Sequence, residues 1–385
     1  MLKKIKSLLK KMWIFLLNLS VFKIDNKKIV FDNFNGKGFG CNPKYIALEL
    51  IKQHVDCKMI WLVSDMDTEM PKEIKKVKYG SLRSYYELAT ARIWIDNVRN
   101  YKGVKKKKTQ FYIQTWHASI GFKKCEADIE NLLSEQYVAE AKNDGKITDL
   151  MISDSNFVTN VFKKAFWYNG KIEQIGLPRN DVLNEVPEKV KERVYNYFNI
   201  DYSKKIVIYA PTFRKNEKND YITFDYQKCC EKLNKKFNEK FVLLIRLHPN
   251  DIEHSKQIKE NEIIKNATLY PDVQELLAVS DIGITDYSSI AFDLAIVGKP
   301  VFLLCKDYEN FIKNERDLFF DMNELPFLLN ISEDELYKSI ENFSREEYNK
   351  LCAEFYDRDD IKPVKTSEAS HKIVQIIKEK IMGGI

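Results

Sequence analysis

Several familiar signatures are missing from this sequence, and each absence narrows what the chain does. Its seven cysteines, Cys41, Cys57, Cys125, Cys229, Cys230, Cys305 and Cys352, are odd in number and never spaced as CxxC. That usage argues against a disulfide framework or a zinc site and for reduced, mostly buried thiols in a cytoplasmic protein. No apolar run reaches the roughly 20 residues that a membrane-spanning helix needs. Carboxylates with metal-ligand spacing are also missing. Asp281, Asp286 and Asp293 lie close in sequence, but their pattern puts them on different faces, so a site without metal or cofactor is expected. Basic residues come without any nucleic-acid motif, so no nucleic-acid partner is expected.

What is present is a globular composition. At 385 residues, 44% hydrophobic and 12% aromatic, the chain is long and apolar enough for two domains with their own cores. The net charge of +6 is small for this length, but it is unevenly placed. Lys3, Lys4, Lys6, Lys10 and Lys11 occur without an acid, and Lys105 to Lys108 form a second block, which points to an anionic surface or substrate. Residues 1–27 combine those first lysines with an apolar stretch from Met12 to Phe22. Two readings stand: an amphipathic helix on an anionic membrane face, with Trp13 and Phe15 dipping in, or a helix packed on the protein's own core.

From Lys28 the chain alternates short apolar strands with helical patterns. Strands are expected at Ile29–Phe31, Met59–Val63, Ile93–Asp96, Gln110–Gln114, Asp149–Ser153 and Ile172–Ile175. After the charged helical stretch Glu185–Ser203 a second set follows at Ile206–Tyr209, Phe241–Arg246, Thr268–Tyr270, Ile282–Thr285 and Val301–Leu304. This order predicts an α/β protein of two doubly wound, Rossmann-like domains, 28–190 and 191–385, facing each other across a cleft lined by strand C-terminal ends. The last helix is open to packing back on the first domain.

Unusual residues fall just past those strand ends. Gln110–Gln114 runs into Thr115, Trp116 and His117 and then into Lys123 and Lys124. A histidine there suits a general base, although a lone histidine is more often a structural residue. Ile175 leads into a turn carrying Arg179, Ile206–Tyr209 into Thr212 and Arg214, and Phe241–Ile245 into Arg246 and His248. The stretch Ser280–Pro300 reads as strand, polar elbow and helix, with Asp286, Ser288 and Ser289 at the elbow and Lys299 near its end. Those hydroxyls either cap the helix or, with its dipole, hold an anion. Arginines, a histidine and hydroxyls delivered to one sheet edge favour the anion, a diphosphate above all.

Five ordered blocks carry a family resemblance: QTWHASIGFKK at Gln114–Lys124, GLPRND at Gly176–Asp181, YAPTFR at Tyr209–Arg214, RLHP at Arg246–Pro249 and TDYSSIAFDLAIVGKPVF at Thr285–Phe302. In them the chain resembles the CDP-glycerol glycerophosphotransferase family of teichoic acid biosynthesis. The resemblance implies a GT-B fold, an acceptor-side first domain, a CDP-polyol-binding second domain, and peripheral attachment to the cytoplasmic face of the cell membrane. It also implies attack by an acceptor hydroxyl on the phosphate bearing the polyol, with CMP leaving. The donor is then CDP-glycerol or CDP-ribitol and the acceptor a lipid-linked molecule or growing polymer. Carried over by position, His117 is the candidate base and His248 a pyrophosphate contact. Thr212, Arg214, Arg246, Ser288, Ser289 and Arg316 are candidate diphosphate ligands, with Asp286, Lys299 and Arg179 in secondary roles. The chain departs from the family pattern at Ala118 and Ser119, where HGT is common after the tryptophan, and at Asp317, where glycine commonly follows the arginine. Two other classes fit parts of the sequence: a glycosyltransferase using a nucleotide sugar, and a membrane-surface scaffold without catalysis.

Overall fold

The computed structural model describes residues 2–19, 22–99, 103–214, 223–314, 317–364 and 367–383. The chain forms two compact units. One comprises Met1–His117, Glu126–Asp181 and Val364–Ile385, and the other Ala118–Cys125 and Val182–Pro363.

The first unit holds a seven-stranded sheet of β1 (Asp25–Asp32), β2 (Lys58–Val63), β3 (Ile74–Lys78), β4 (Ala91–Asp96), β5 (Phe111–Gln114), β6 (Leu150–Ser153) and β7 (Lys171–Gln174). Its order is β3-β2-β1-β4-β5-β6-β7, and every pairing is parallel. Ile29, Val30 and Phe31 of β1 are all buried because both faces of the sheet are covered. Ile29 and Phe31 pack with Ile46 and Leu50 of α2 (Cys41–Lys52) and with Ile373 and Ile377 of the C-terminal helix Ala369–Met382. Val30 points the other way, to Leu17 of α1 (Leu2–Asn18) and Leu88 of α3 (Leu82–Thr90). Each such fully buried side chain contributes about 1.5–3 kcal/mol relative to exposure.

The second unit holds a six-stranded parallel sheet of β8 (Lys205–Ala210), β9 (Phe241–Ile245), β10 (Ile264–Asn266), β11 (Ile282–Thr285), β12 (Val301–Leu304) and β13 (Leu328–Asn330), ordered β10-β9-β8-β11-β12-β13. In both sheets the order reverses beside a central strand, between β1 and β4 in one and between β8 and β11 in the other. The crevice at such a reversal, outside the strand C-termini, is where open α/β sheets bind ligands.

Two expectations need correction. The strand placed at Thr268–Tyr270 lies instead at Ile264–Asn266. At 267–270 the chain turns instead, the Tyr270 N–H donating to the Ala267 carbonyl, and the Arg246 guanidinium donates to the carbonyls of Ala267 and Tyr270. Trp13 does not face outward: its indole N–H donates to the Leu82 carbonyl at 2.9 Å, and its ring meets Phe22 edge-on at 5.9 Å. The opposite face of α1 presents Leu8, Met12, Phe15 and Leu19, each more than half exposed. The side chains of Lys3, Lys4 and Lys6 lie outside the described residues. None of the seven cysteines forms a disulfide, and no described helix is long and apolar enough to cross a membrane.

Candidate functional site

In the first unit the loops after β1, β4, β5 and β7 meet around His117. Thr115 continues from β5, its N–H and hydroxyl both donating to the Asp96 carbonyl at the end of β4. The next residue, Trp116, sits at φ +53°, a conformation costing a bulky residue about 1–3 kcal/mol that surrounding bonds must hold in place. Those bonds are present. The Trp116 N–H donates to Gln114 Oε1 at 3.0 Å, and its carbonyl accepts from Asn42 Nδ2 at 3.0 Å. Asn42, in the first turn of α2, also accepts the Arg179 N–H through Oδ1 at 3.0 Å, which joins the turn after β7 to the turn after β5.

His117 is therefore aimed by backbone. Its Nδ1 lies 2.8 Å from the Asn97 carbonyl, just past β4. A carbonyl only accepts, so Nδ1 carries the proton and Nε2 keeps its lone pair. The ring packs with Phe34, at 5.3 Å between centroids, and with Trp116, at 4.3 Å. Part of its edge stays open to solvent, yet the protein packed around it pushes the imidazole pKa down to about 4. Burial is the main cause, the Asn97 hydrogen bond works against it, and the nearby Arg179 charge adds to it. His117 is thus a neutral acceptor at pH 7, and Arg179 lies near enough for its charge to act on it.

In the second unit the loops after β8, β11 and β12 converge on one carboxylate. Asp286 accepts from the Thr212 N–H at 2.9 Å, the Thr212 hydroxyl at 2.5 Å, the Arg214 guanidinium at 2.9 Å and the Tyr287 N–H at 2.6 Å. Arg214 also reaches Asp307 at 2.8 Å, and its guanidinium lies 5.1 Å from the centroids of both Tyr287 and Phe311, which stack 3.5 Å apart. Burial opposes the charge on Arg214, but Asp286 and Asp307 outweigh it and raise its pKa further. Thr212 and Arg214 therefore build the loops.

Arg246 is half-buried, and the protein packed around its guanidinium pulls its pKa down to about 10, with Asp272 opposing. Its donors to Ala267 and Tyr270 fix the loop that carries His248. The exposed His248 has the reverse arrangement to His117. Its Nδ1 accepts the Asn250 N–H at 3.1 Å, so in the neutral ring the proton is on Nε2, and Phe213 stacks beside it at 5.6 Å.

Ser289 occupies the N-cap position of the helix Ile290–Ala295 without a side-chain cap bond, so its hydroxyl does not perform the capping role. Lys299 is not part of this cluster. It lies before β12, at the edge where strands begin, and its amine donates to the Leu277 and Ala278 carbonyls at 2.9 and 2.6 Å. Arg316 lies outside the described residues. The block Gln114–Lys124 is divided between the units just after His117, and in its second part Lys123 pairs antiparallel with Leu318 while its amine lies 4.6 Å from the Phe311 ring centroid. Asn42, Asn97 and Phe34 were not singled out in the sequence. Asn97 does follow a strand, and that position is the signal that could have found it. Among the described residues no three His, Cys, Asp or Glu side chains gather as a metal-ligating group.

The profile of the family described as CDP-Glycerol:Poly(glycerophosphate) glycerophosphotransferase matches residues 13–379. A teichoic acid poly(glycerol phosphate) polymerase of Staphylococcus epidermidis is 31% identical, with 86% of this chain and 48% of the relative covered. The chain thus spans about half of that relative's length. A teichoic acid poly(glycerol phosphate) polymerase of Bacillus spizizenii is 29% identical, covering 87% of this chain and 88% of the relative. The solved structure of the wall teichoic acid polymerase TagF superposes with a TM-score of 0.85 at 28% identity, over 99% of this chain and 96% of that one.

Proposed function

Because the chain belongs to the CDP-Glycerol:Poly(glycerophosphate) glycerophosphotransferase family, we propose that it transfers glycerol phosphate, or ribitol phosphate, from a CDP-activated donor to an acceptor hydroxyl and releases CMP. The observation that carries this reading is the pair of oppositely set histidines. His117 offers a lone pair at Nε2 and His248 offers an N–H there, as a proton acceptor and an anion contact require. In the step, the acceptor oxygen bonds to the phosphorus bearing the polyol and its proton passes to His117 Nε2. The anhydride P–O bond breaks, and its electron pair leaves with CMP. His248, Ser288 and Ser289 hold the diphosphate, with Arg316 as a further ligand. Thr212, Arg214 and Asp286 set the loops that present them, and Arg246 fixes the His248 turn.

The acceptor is a lipid-linked molecule or polymer, and the protein works on the cytoplasmic face of the membrane as a peripheral protein. The outward apolar face of α1 supports this. So does the second basic block, whose Lys105 N–H donates to Asn18 Oδ1 at 2.8 Å and thereby sits at the end of that helix.

The test mixes purified protein with anionic vesicles carrying a lipid-linked acceptor and with CDP-glycerol or CDP-ribitol. Product mass, CMP and cosedimentation are read together. Acceptor growth by one polyol phosphate per CMP, on pelleted vesicles, is expected. A nucleoside diphosphate released from a nucleotide sugar would point to a glycosyltransferase, and failure to bind any cytidine nucleotide to a scaffold. Activity with the protein left in the supernatant would remove the membrane part.

A further inference from the structure

The surroundings of His117 do more than aim it. Phe34 and Trp116 flank its ring, and both hold left-handed backbone conformations, at φ +46° and +53°. Asparagine, aspartate and histidine are the non-glycine residues that tolerate this region best, so two bulky aromatics there are out of place on backbone grounds alone. Each is pinned by its own hydrogen bonds. The Phe34 N–H donates to Asn97 Oδ1 at 2.9 Å, and the same Asn97 holds His117 through its carbonyl. Asn97 is fixed in turn by Nδ2 donating to Asn33 Oδ1 at 2.8 Å. On the other side, Trp116 rests edge-on against Phe166 at 4.7 Å. The backbone is thus constrained at two separate loops, and the shared result is two aromatic rings packed against the imidazole.

We propose that Phe34 and Trp116 are positioning residues that form an apolar clamp beside His117, which a bound acceptor completes by covering the open edge of the ring, so that phosphoryl transfer goes to a polyol hydroxyl instead of water. The inference rests on the reading of His117 as the proton acceptor. Water is a nucleophile of the same class as the acceptor. If it enters, its oxygen bonds to the polyol-bearing phosphorus and its proton goes to His117 Nε2. The anhydride P–O bond breaks toward CMP, and free glycerol phosphate results. Nothing in the charge of the diphosphate distinguishes the two nucleophiles, so the difference has to come from shape and from dry surroundings at the base. A polyol or polymer end brings carbon surface to lay against two aromatic rings, and a water molecule brings none.

Phe34→Gly isolates the ring from the backbone, because glycine adopts φ +46° without strain. The full-length chain, native or variant, is given CDP-glycerol with and without a lipid-linked acceptor, and free glycerol phosphate is measured against elongated acceptor. The native chain is expected to release little glycerol phosphate, and Phe34→Gly to raise its ratio to elongated acceptor at least tenfold. Phe34→Leu, which keeps apolar cover, is expected to stay near the native ratio. An unchanged ratio in a folded Phe34→Gly chain overturns the clamp while leaving the transferase reading in place. A native chain that releases no CMP under either condition overturns both.

Discussion

His117 and His248 are the same residue type set in opposite states by one backbone atom each. The Asn97 carbonyl forces a proton onto His117 Nδ1, and the Asn250 amide keeps one off His248 Nδ1. Burial then holds the His117 pKa near 4, below its ordinary 6.5. The sign of the consequence follows from linkage. Between about pH 6.5 and 4 the unfolded chain binds a proton at this residue and the folded chain does not, so stability falls as pH drops through that window and levels off above it. Urea midpoints of native and His117→Gln protein across pH 4–8 should show a smaller acid-side loss in the variant. Parallel curves would mean that His117 titrates normally. Few signals of these states are present in the sequence. The position of both histidines past strand ends was legible, but their tautomers depend on a carbonyl and an amide that every residue possesses.

At the scale of elements, the strand alternation was legible because parallel strands covered on both faces read as short unbroken apolar runs. The edges were not. β3 carries Lys75, Lys76 and Lys78, which suits a solvated edge strand and hides it from an apolarity scan. The arginines after β8 and β9 were read as diphosphate ligands because they follow strands. Where a long side chain turns is decided by partners far along the chain. Arg214 turns to Asp286 and Asp307, and Arg246 to carbonyls more than twenty residues away. Removing one member of such a buried pair leaves charge without its counterpart. Asp286→Ala is expected to cost about 3–5 kcal/mol in urea unfolding, more than a surface carboxylate exchange. A loss below about 1 kcal/mol would show that the loops do not depend on this hub.

For the whole molecule, the proposed function divides its chemistry between the two units. The base candidate and its aromatic cover belong to one unit, and the carboxylate hub and His248 to the other, which also takes Ala118–Cys125 although that segment follows directly on His117. The sequence placed that segment wholly with the strand before it. Its pairing with Leu318, and the lysine it sets near Phe311, arise from a contact nearly two hundred residues away that no local pattern announces. If the units hold separate parts of the chemistry, donor binding and proton transfer should come apart when one unit is altered. The direct measurement is His117→Ala assayed twice, for CDP-glycerol affinity by calorimetry and for CMP release with a lipid-linked acceptor. Unchanged affinity with turnover lowered roughly 100- to 10,000-fold is predicted, the range a positioned base contributes. Full turnover by His117→Ala would contradict the account.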